Sequence, residues 1–171
     1  MNTKRKGNAF EIKIAKRLSK WITGKDKSLL FWKVGSSGAQ ATITKDKKSK
    51  LVGDLVAIDG RGAWLTDVVV VEMKNDKRAN ALDFIDTTNR KKNWLYDVWI
   101  DLVNKSDEAG RFPWLIFHRP ETRIDYIVID KKFIYELIAM DSNCLKFDTG
   151  YIYELEDFLY RCKPVFMKGN M

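Results

Sequence analysis

Cysteine and histidine are scarce in this sequence, which has two cysteines, Cys144 and Cys162, and one histidine, His118. Two thiols do not make the disulfide framework of a small secreted protein, and they favour a reducing intracellular compartment. A single imidazole excludes catalytic centres that need several histidines, and zinc sites of the Cys/His type, within one chain. His118, near the end of a predicted strand, is interpreted as structural.

Long apolar runs and a nucleotide-binding loop are also missing. The longest strongly aliphatic run, Val68 to Val71, is far too short to span a bilayer, and residues 1–11 contain no apolar signal region. Ser19 stands where a phosphate-binding loop ending in Gly24-Lys25 would need its first glycine. We therefore expect a soluble, unexported, cytoplasmic protein with no membrane partner and no nucleotide cofactor.

The residues that are present describe a folded, basic chain. Its 171 residues are 45% hydrophobic and include six Trp, nine Phe and six Tyr, enough for one domain with a continuous core. The formal net charge is +8 and the sequence pI is about 9.4. A surplus of positive charge of this size favours a polyanionic partner, above all nucleic acid. The alternative is a basic surface that only keeps the protein soluble.

Hydrophobic periodicity predicts one α/β domain over 1–171, with a central mixed sheet between helices. Residues 51–58 and 64–74 are predicted to pair as an antiparallel hairpin about the turn Asp59 to Gly62. The polar, lysine-rich segment 35–50 is predicted to be a mobile loop. Further predicted helices are 7–23, the region around 94–102 and a helix from Asp130 to about Met140; further predicted strands are 30–34, 114–118 and 124–129.

Glu11 is the first candidate functional residue. At about 100° per residue, it falls inside the apolar arc of the first helix, whereas the basic residues lie on the other side. A carboxylate aimed at a core costs several kcal/mol unless it is paired or binds a metal. Glu11 therefore predicts either a buried salt bridge or a metal ligand.

Asp54 and Glu72 are the second and third candidates. In the predicted hairpin, residues whose numbers sum to about 126 lie opposite each other, so these two carboxylates are predicted to be cross-strand neighbours. Carboxylates that close repel unless a cation lies between them, and oxygen ligands suit Mg²⁺ or Mn²⁺. Lys74 lies two residues along the same face, where it can orient water or stabilise a negative transition state. The alternative is a strand that ends in solvated charges.

Gly53-Asp54, followed by Glu72-Met73-Lys74 at the end of an aliphatic strand and preceded by a helical Glu11, resembles the PD-(D/E)XK nuclease superfamily. Lys6-Gly7 before Glu11 and Ser37-Gly38 in the basic loop make the pattern more similar to archaeal and phage Holliday junction resolvases. The resemblance covers about residues 6–129. It implies a restriction-endonuclease-like core, and residues 131–171 form a C-terminal extension of unknown role.

The resemblance also implies roles. Glu11, Asp54 and Glu72 would bind Mg²⁺ or Mn²⁺ with the Met73 carbonyl, Lys74 would be the catalytic lysine, and Ser37 would lie near the scissile phosphate. The enzyme would be a homodimeric, phage- or prophage-encoded endonuclease acting on branched DNA in recombination. Gly53 stands where the superfamily pattern has proline, and no glutamine follows Lys74 before Trp94. The basic and polar residues expected to contact DNA are Lys6, Ser36, Lys45, Lys47, Lys48, Lys77 and Arg78.

Two alternatives stay open. One is a restriction-like, homing or nicking endonuclease on the same core, because the C-terminal segment lies outside the resemblance. The other is a noncatalytic nucleic-acid-binding protein that keeps the fold and the charge. Retention of buried charge at Asp54, Glu72 and Lys74 argues against the second, since a dead site has no reason to keep it.

Overall fold

The structure is a computed structural model that describes residues 3–34, 52–85, 93–135, 144–162 and 164. The helices within these ranges are α1 (Thr3–Thr23), α2 (Gly60–Val68), α3 (Trp94–Ala109), α4 (Lys131–Tyr135) and α5 (Leu155–Arg161), with a short 3-10 helix at Ala81–Phe84. The strands are β1 (Phe31–Lys33), β2 (Leu55–Ala57), β3 (Val69–Lys74), β4 (Phe112–Arg119), β5 (Ile124–Asp130), β6 (Leu145–Lys146) and β7 (Gly150–Glu154).

Five strands form the main sheet in the order β3-β4-β5-β7-β6. β3 runs parallel to β4, with Glu72 level with Leu115, and the remaining pairs are antiparallel. β1 and β2 form a separate antiparallel pair. The predicted mixed sheet is therefore confirmed, and its aliphatic strand β3 is at one edge of the five.

Helices cover both faces of the main sheet, as the pattern predicts. On one face, α1 contributes Ile14 and Leu18 to a core that includes Trp114 and Phe158. On the other face, α3 and the 3-10 helix pack with Val70 and Leu115. Alternate residues of β3 thus enter opposite cores, which is why the strand is aliphatic almost throughout.

The predicted hairpin is wrong. Residues Gly60–Val68 form α2 instead of a strand, and β2 pairs with β1, opposite Phe31 to Lys33. The Asp59 side chain accepts a hydrogen bond from the Arg61 backbone N–H (2.9 Å), which caps the helix. A Cβ on Gly62 would lie 2.8 Å from the Phe31 ring, so this glycine serves close packing against β1.

The described residues after 131 contribute to the core rather than standing apart from it. β7 pairs with β5 along its length, and Tyr153, Leu155 and Phe158 are buried in the same core as α1. The predicted helix from Asp130 begins as expected, because the Asp130 side chain accepts from the Lys132 N–H (2.6 Å). Its predicted end, and the loop 35–50, lie outside the described residues. Within the described ranges, no helix is long and apolar enough to cross a membrane.

Candidate active site

Asp54 is held against the free edge of β3 by its backbone. Its N–H donates to the Val71 carbonyl (2.7 Å), and its own carbonyl accepts from the Val34 N–H (3.0 Å). Gly53 makes this approach possible, since it has φ +92° and any Cβ there would lie 2.7 Å from the Val71 oxygen. Proline, whose φ is fixed near about −65°, does not fit this geometry.

The Asp54 carboxylate is anchored by the same strand. Its Oδ2 accepts a hydrogen bond from the Met73 backbone N–H (2.7 Å). The N–H and C=O of one residue in an extended strand point to the same side, so the Met73 carbonyl also faces the edge where Asp54 lies. One end of β3 thus presents a side-chain carboxylate and a backbone oxygen together.

Glu72 and Lys74 share one face of β3 and form an ion pair between Lys74 Nζ and Glu72 Oε1. Both side chains are largely enclosed, with 16% of Glu72 and 28% of Lys74 exposed. The parallel neighbour β4 and the core around Val70 fix the strand beneath them. The shared face agrees with the alternation predicted for Val70, Glu72 and Lys74.

Glu11 reaches this region from α1. Its Oε2 lies 3.9 Å from Lys33 Nζ, and that ammonium group also donates to Asn8 Oδ1 (3.0 Å). A salt bridge to a lysine is one of the two outcomes that the helical phasing of Glu11 predicts. Sequence reasoning missed Lys33 and Asn8, although strand alternation places Lys33 on the same side as the buried Phe31.

The electrostatics tie the four predicted residues together. Burial, followed by the neighbouring Glu72 carboxylate and, more weakly, Glu11, raises the pKa of Asp54 to about 7 despite the Met73 hydrogen bond and Lys74. Burial acts to lower the pKa of Lys74, but the Glu72, Asp54 and Glu11 carboxylates outweigh it and leave that pKa above its ordinary value. The site has an excess of negative charge that a cation would relieve.

The donor set suits a hard divalent ion. Asp54, Glu72 and the Met73 carbonyl supply oxygen atoms, which Mg²⁺ and Mn²⁺ prefer, and a bound cation would favour the ionised form of Asp54 that burial and Glu72 disfavour. As placed, no three His, Cys, Asp or Glu side chains of the described residues lie close enough together to hold a metal ion. The three carboxylates would therefore have to rearrange to share one ion, and for Glu11 this means giving up its contact with Lys33.

The predicted DNA-contacting residues divide into three groups. Lys6 and Lys77 are exposed on the surface. Arg78 is already engaged, because its guanidinium pairs with Asp76 (2.9 Å) and lies 4.3 Å from the centroid of the Trp94 ring. Ser36, Ser37, Lys45, Lys47 and Lys48 lie outside the described residues.

A second charged cluster occupies the α1 face of the sheet. Asp125 on β5, of whose side chain 3% is exposed, pairs with Lys13 Nζ (2.7 Å) and with the Arg17 guanidinium. His118 Nδ1 lies 2.7 Å from the other carboxylate oxygen. Burial works to raise the pKa of Asp125, but these partners outweigh it and hold that pKa below its ordinary value. This contact with Asp125 agrees with a structural role for His118, which stays a prediction.

Comparison with known proteins identifies the family. The model of a family described as "phage putative PDDEXK endonuclease" matches residues 2–163. The chain belongs to this family. The match extends past residue 129, where the resemblance in the sequence ends, and so includes β7 and α5, which complete the core. Searches among curated proteins and among solved structures found no match.

Membership of the PDDEXK family confirms the superfamily predicted from Asp54 and Glu72-Met73-Lys74. It supports a nuclease of the PD-(D/E)XK type, with DNA as the class of substrate.

Proposed function

We propose that this PDDEXK protein is a Mg²⁺- or Mn²⁺-dependent endodeoxyribonuclease that hydrolyses phosphodiester bonds at the end of β3. The observation that carries the proposal is the largely buried Asp54 carboxylate, which is fixed by the Met73 N–H and whose pKa is raised to about 7 by burial and by the neighbouring Glu72. A structural carboxylate in such a place would be expected to have a cationic partner.

Each residue has a proposed role. Asp54, Glu72 and the Met73 carbonyl would hold the ion, and Glu11 would join them. When bound, the ion supplies a low pKa for coordinated water and positive charge opposite the phosphoryl oxygens. Lys74, held by Glu72, would donate a hydrogen bond to a phosphate oxygen, stabilising its negative charge, or orient the attacking water. Ser37 would contact the scissile phosphate.

The preferred substrate is proposed to be branched DNA, cut by a homodimer. Support comes from the resemblance of Lys6-Gly7, Glu11 and Ser37-Gly38 to junction resolvases, and from the +8 charge of the chain. Two symmetric cuts across a four-way junction require two sites, which a dimer provides. Lys45, Lys47 and Lys48, with Lys6, Ser36, Lys77 and Arg78, would contact the backbone.

A cleavage assay tests both levels of the proposal. Four-way junction, flap and linear duplex DNA of shared sequence are incubated with Mg²⁺, Mn²⁺, Ca²⁺ or EDTA. We expect cleavage with Mg²⁺ and Mn²⁺ only, and paired symmetric nicks on the junction. Equal cutting of all substrates, or cutting at one duplex sequence, rejects the resolvase assignment and retains the nuclease. Undiminished cleavage in EDTA rejects the metal-dependent mechanism.

A further inference from the structure

Lys33 is a second lysine at the site, and neither the family match nor the motif assigns it a role. Its side chain is 23% exposed and that of Glu11 is 21% exposed, so the two groups meet in a largely enclosed space. The ammonium donates to Asn8 Oδ1 at 3.0 Å and lies 3.9 Å from Glu11 Oε2. Asn8 and Glu11 are three residues apart on α1, so one lysine engages two neighbours on one helix face.

The backbone fixes where Lys33 can point. It pairs with Leu55 in the β1–β2 ladder, one residue beyond Asp54, and the adjacent Val34 N–H donates to the Asp54 carbonyl. Because strand side chains alternate, Lys33 shares the side of the buried Phe31 while Trp32 is exposed on the other. The ammonium is thus directed toward the site by strand geometry and tethered by Asn8.

The charges at the site are unevenly matched. Glu72 pairs with Lys74 and Glu11 pairs with Lys33, whereas Asp54 has no ion pair within the described ranges. The three carboxylates do not form one ligand group as placed. The contact with Lys33 is an ion pair that the Glu11 carboxylate would have to give up to share an ion with the other two.

We propose that Lys33, tethered by Asn8, is a positioning residue that restrains Glu11 and thereby lowers the affinity of the free protein for divalent ions. The proposal rests on the proposed metal-dependent function. The contact of the ammonium with Glu11 must be given up before that carboxylate can bind the ion. Lys33 acts through Glu11 and needs no contact with the reacting atoms.

The test is isothermal titration of the DNA-free full chain with Mn²⁺. Lys33→Met keeps most of the side-chain length and removes the charge. We expect it to tighten Mn²⁺ binding by about 3- to 10-fold, the factor that corresponds to an ion pair of about 1 kcal/mol. Lys20→Met is the matched control, because Lys20 is an exposed lysine of α1 that pairs with Asp26. It should leave Mn²⁺ affinity unchanged.

A double-mutant cycle separates action through Glu11 from a general charge effect. In a Glu11→Gln background, Lys33→Met should no longer change Mn²⁺ affinity. In the wild-type background, Lys33→Arg keeps the charge and should bind Mn²⁺ like the wild type. Asn8→Ala keeps every charge and removes the side chain that tethers the Lys33 ammonium. It should therefore also tighten Mn²⁺ binding, by a smaller factor than Lys33→Met does. This variant also carries the test if Lys33→Met fails to fold.

The outcomes are distinct. A Lys33→Met effect equal to that of Lys20→Met, or one that persists in Glu11→Gln, overturns the role of Lys33 and leaves the proposed function intact. Failure of the wild type to bind Mn²⁺ overturns both, since no site exists for Lys33 to tune. Wild-type binding that is lost in Asp54→Asn, together with tightening that vanishes in Glu11→Gln, supports both.

Discussion

Asp54, beside the edge strand β3, and Asp125, on β5 of the same sheet, are carboxyl groups whose pKa values move in opposite directions. Burial acts to raise both, yet Asp125 has Lys13, Arg17 and His118 around it, and its pKa stays below the ordinary value. Asp54 has Glu72 and Glu11 nearby, and its pKa rises to about 7. Partner charge, rather than burial, separates a structural acid from a candidate metal ligand.

The largest expected difference between the two acids is in catalysis. Asp54→Asn should lower the cleavage rate by more than about 100-fold, because even indirect partners of metal ligands contribute 10- to 100-fold. DNA affinity should stay equal or rise, since a charge that repels phosphate is removed. Asp125→Asn is the matched control and should keep most of the activity of the folded enzyme. Parallel loss of rate in both variants, measured with Mg²⁺ on junction DNA, would remove the distinction.

Stability should show the reverse order. Asp125→Asn is expected to lower the free energy of unfolding by about 1–3 kcal/mol, because it removes the charge that Lys13 and Arg17 share. The stabilisation comes from a depressed carboxyl pKa, so it is present at neutral pH and is lost as the pH falls below about 4. Urea unfolding of both proteins at pH 7 and pH 3 measures this, and an equal difference at both pH values would contradict it.

Asp54 should behave oppositely in metal-free protein. Its raised pKa means that ionisation costs more in the folded state than in the unfolded state, so this residue destabilises the fold as the pH rises from about 4 to about 7. Asp54→Asn, which can still accept the Met73 hydrogen bond, should raise the free energy of unfolding by about 1–2 kcal/mol at pH 8 in EDTA. The gain should shrink at pH 4, and a gain independent of pH would show that charge is not its cause.

The smallest effect is expected where both partners are exposed. The side chains of Lys20 and Asp26 are 59% and 78% exposed, so water screens their interaction. Lys20→Met should change the free energy of unfolding by less than about 0.5 kcal/mol. A larger loss in urea unfolding would mean that this ion pair stabilises the fold although both of its partners are exposed, so burial would not decide how much an ion pair contributes.

The elements that the sequence predicted correctly are those that depend on residues close together in the chain. The first helix, the buried phasing of Glu11 and the strands β4 and β5 follow from apolar periodicity. Gly110, in the left-handed conformation that favours glycine (φ +67°), ends α3. These features depend on side-chain spacing and on one glycine, which the chain carries without reference to distant residues.

The region between Asp59 and Val68 was predictable only with knowledge of the tertiary packing. Apolar and polar residues are scattered around α2, so no amphipathic pattern favours a helix there. In the sequence, Gly62 is typical of a turn, whereas in the structure it allows close packing against the Phe31 ring. The hairpin that predicts proximity of Asp54 and Glu72 does not exist, but Gly53-Asp54 lies directly beside Val71 and Met73. The contact of Lys33 with Asn8 and Glu11 likewise depends on the packing of β1 against α1, which local sequence patterns do not predict.

Gly53 makes the chemistry of the site depend on the shape of the main chain. Because a Cβ at position 53 would collide with the Val71 oxygen, we expect glycine to be the residue that this position tolerates. A search pattern that demands proline before the aspartate would pass over this chain, although its carboxylate is set by backbone contacts. Ligand geometry here could therefore be adjusted through a residue that has no side chain, leaving every charged group in place.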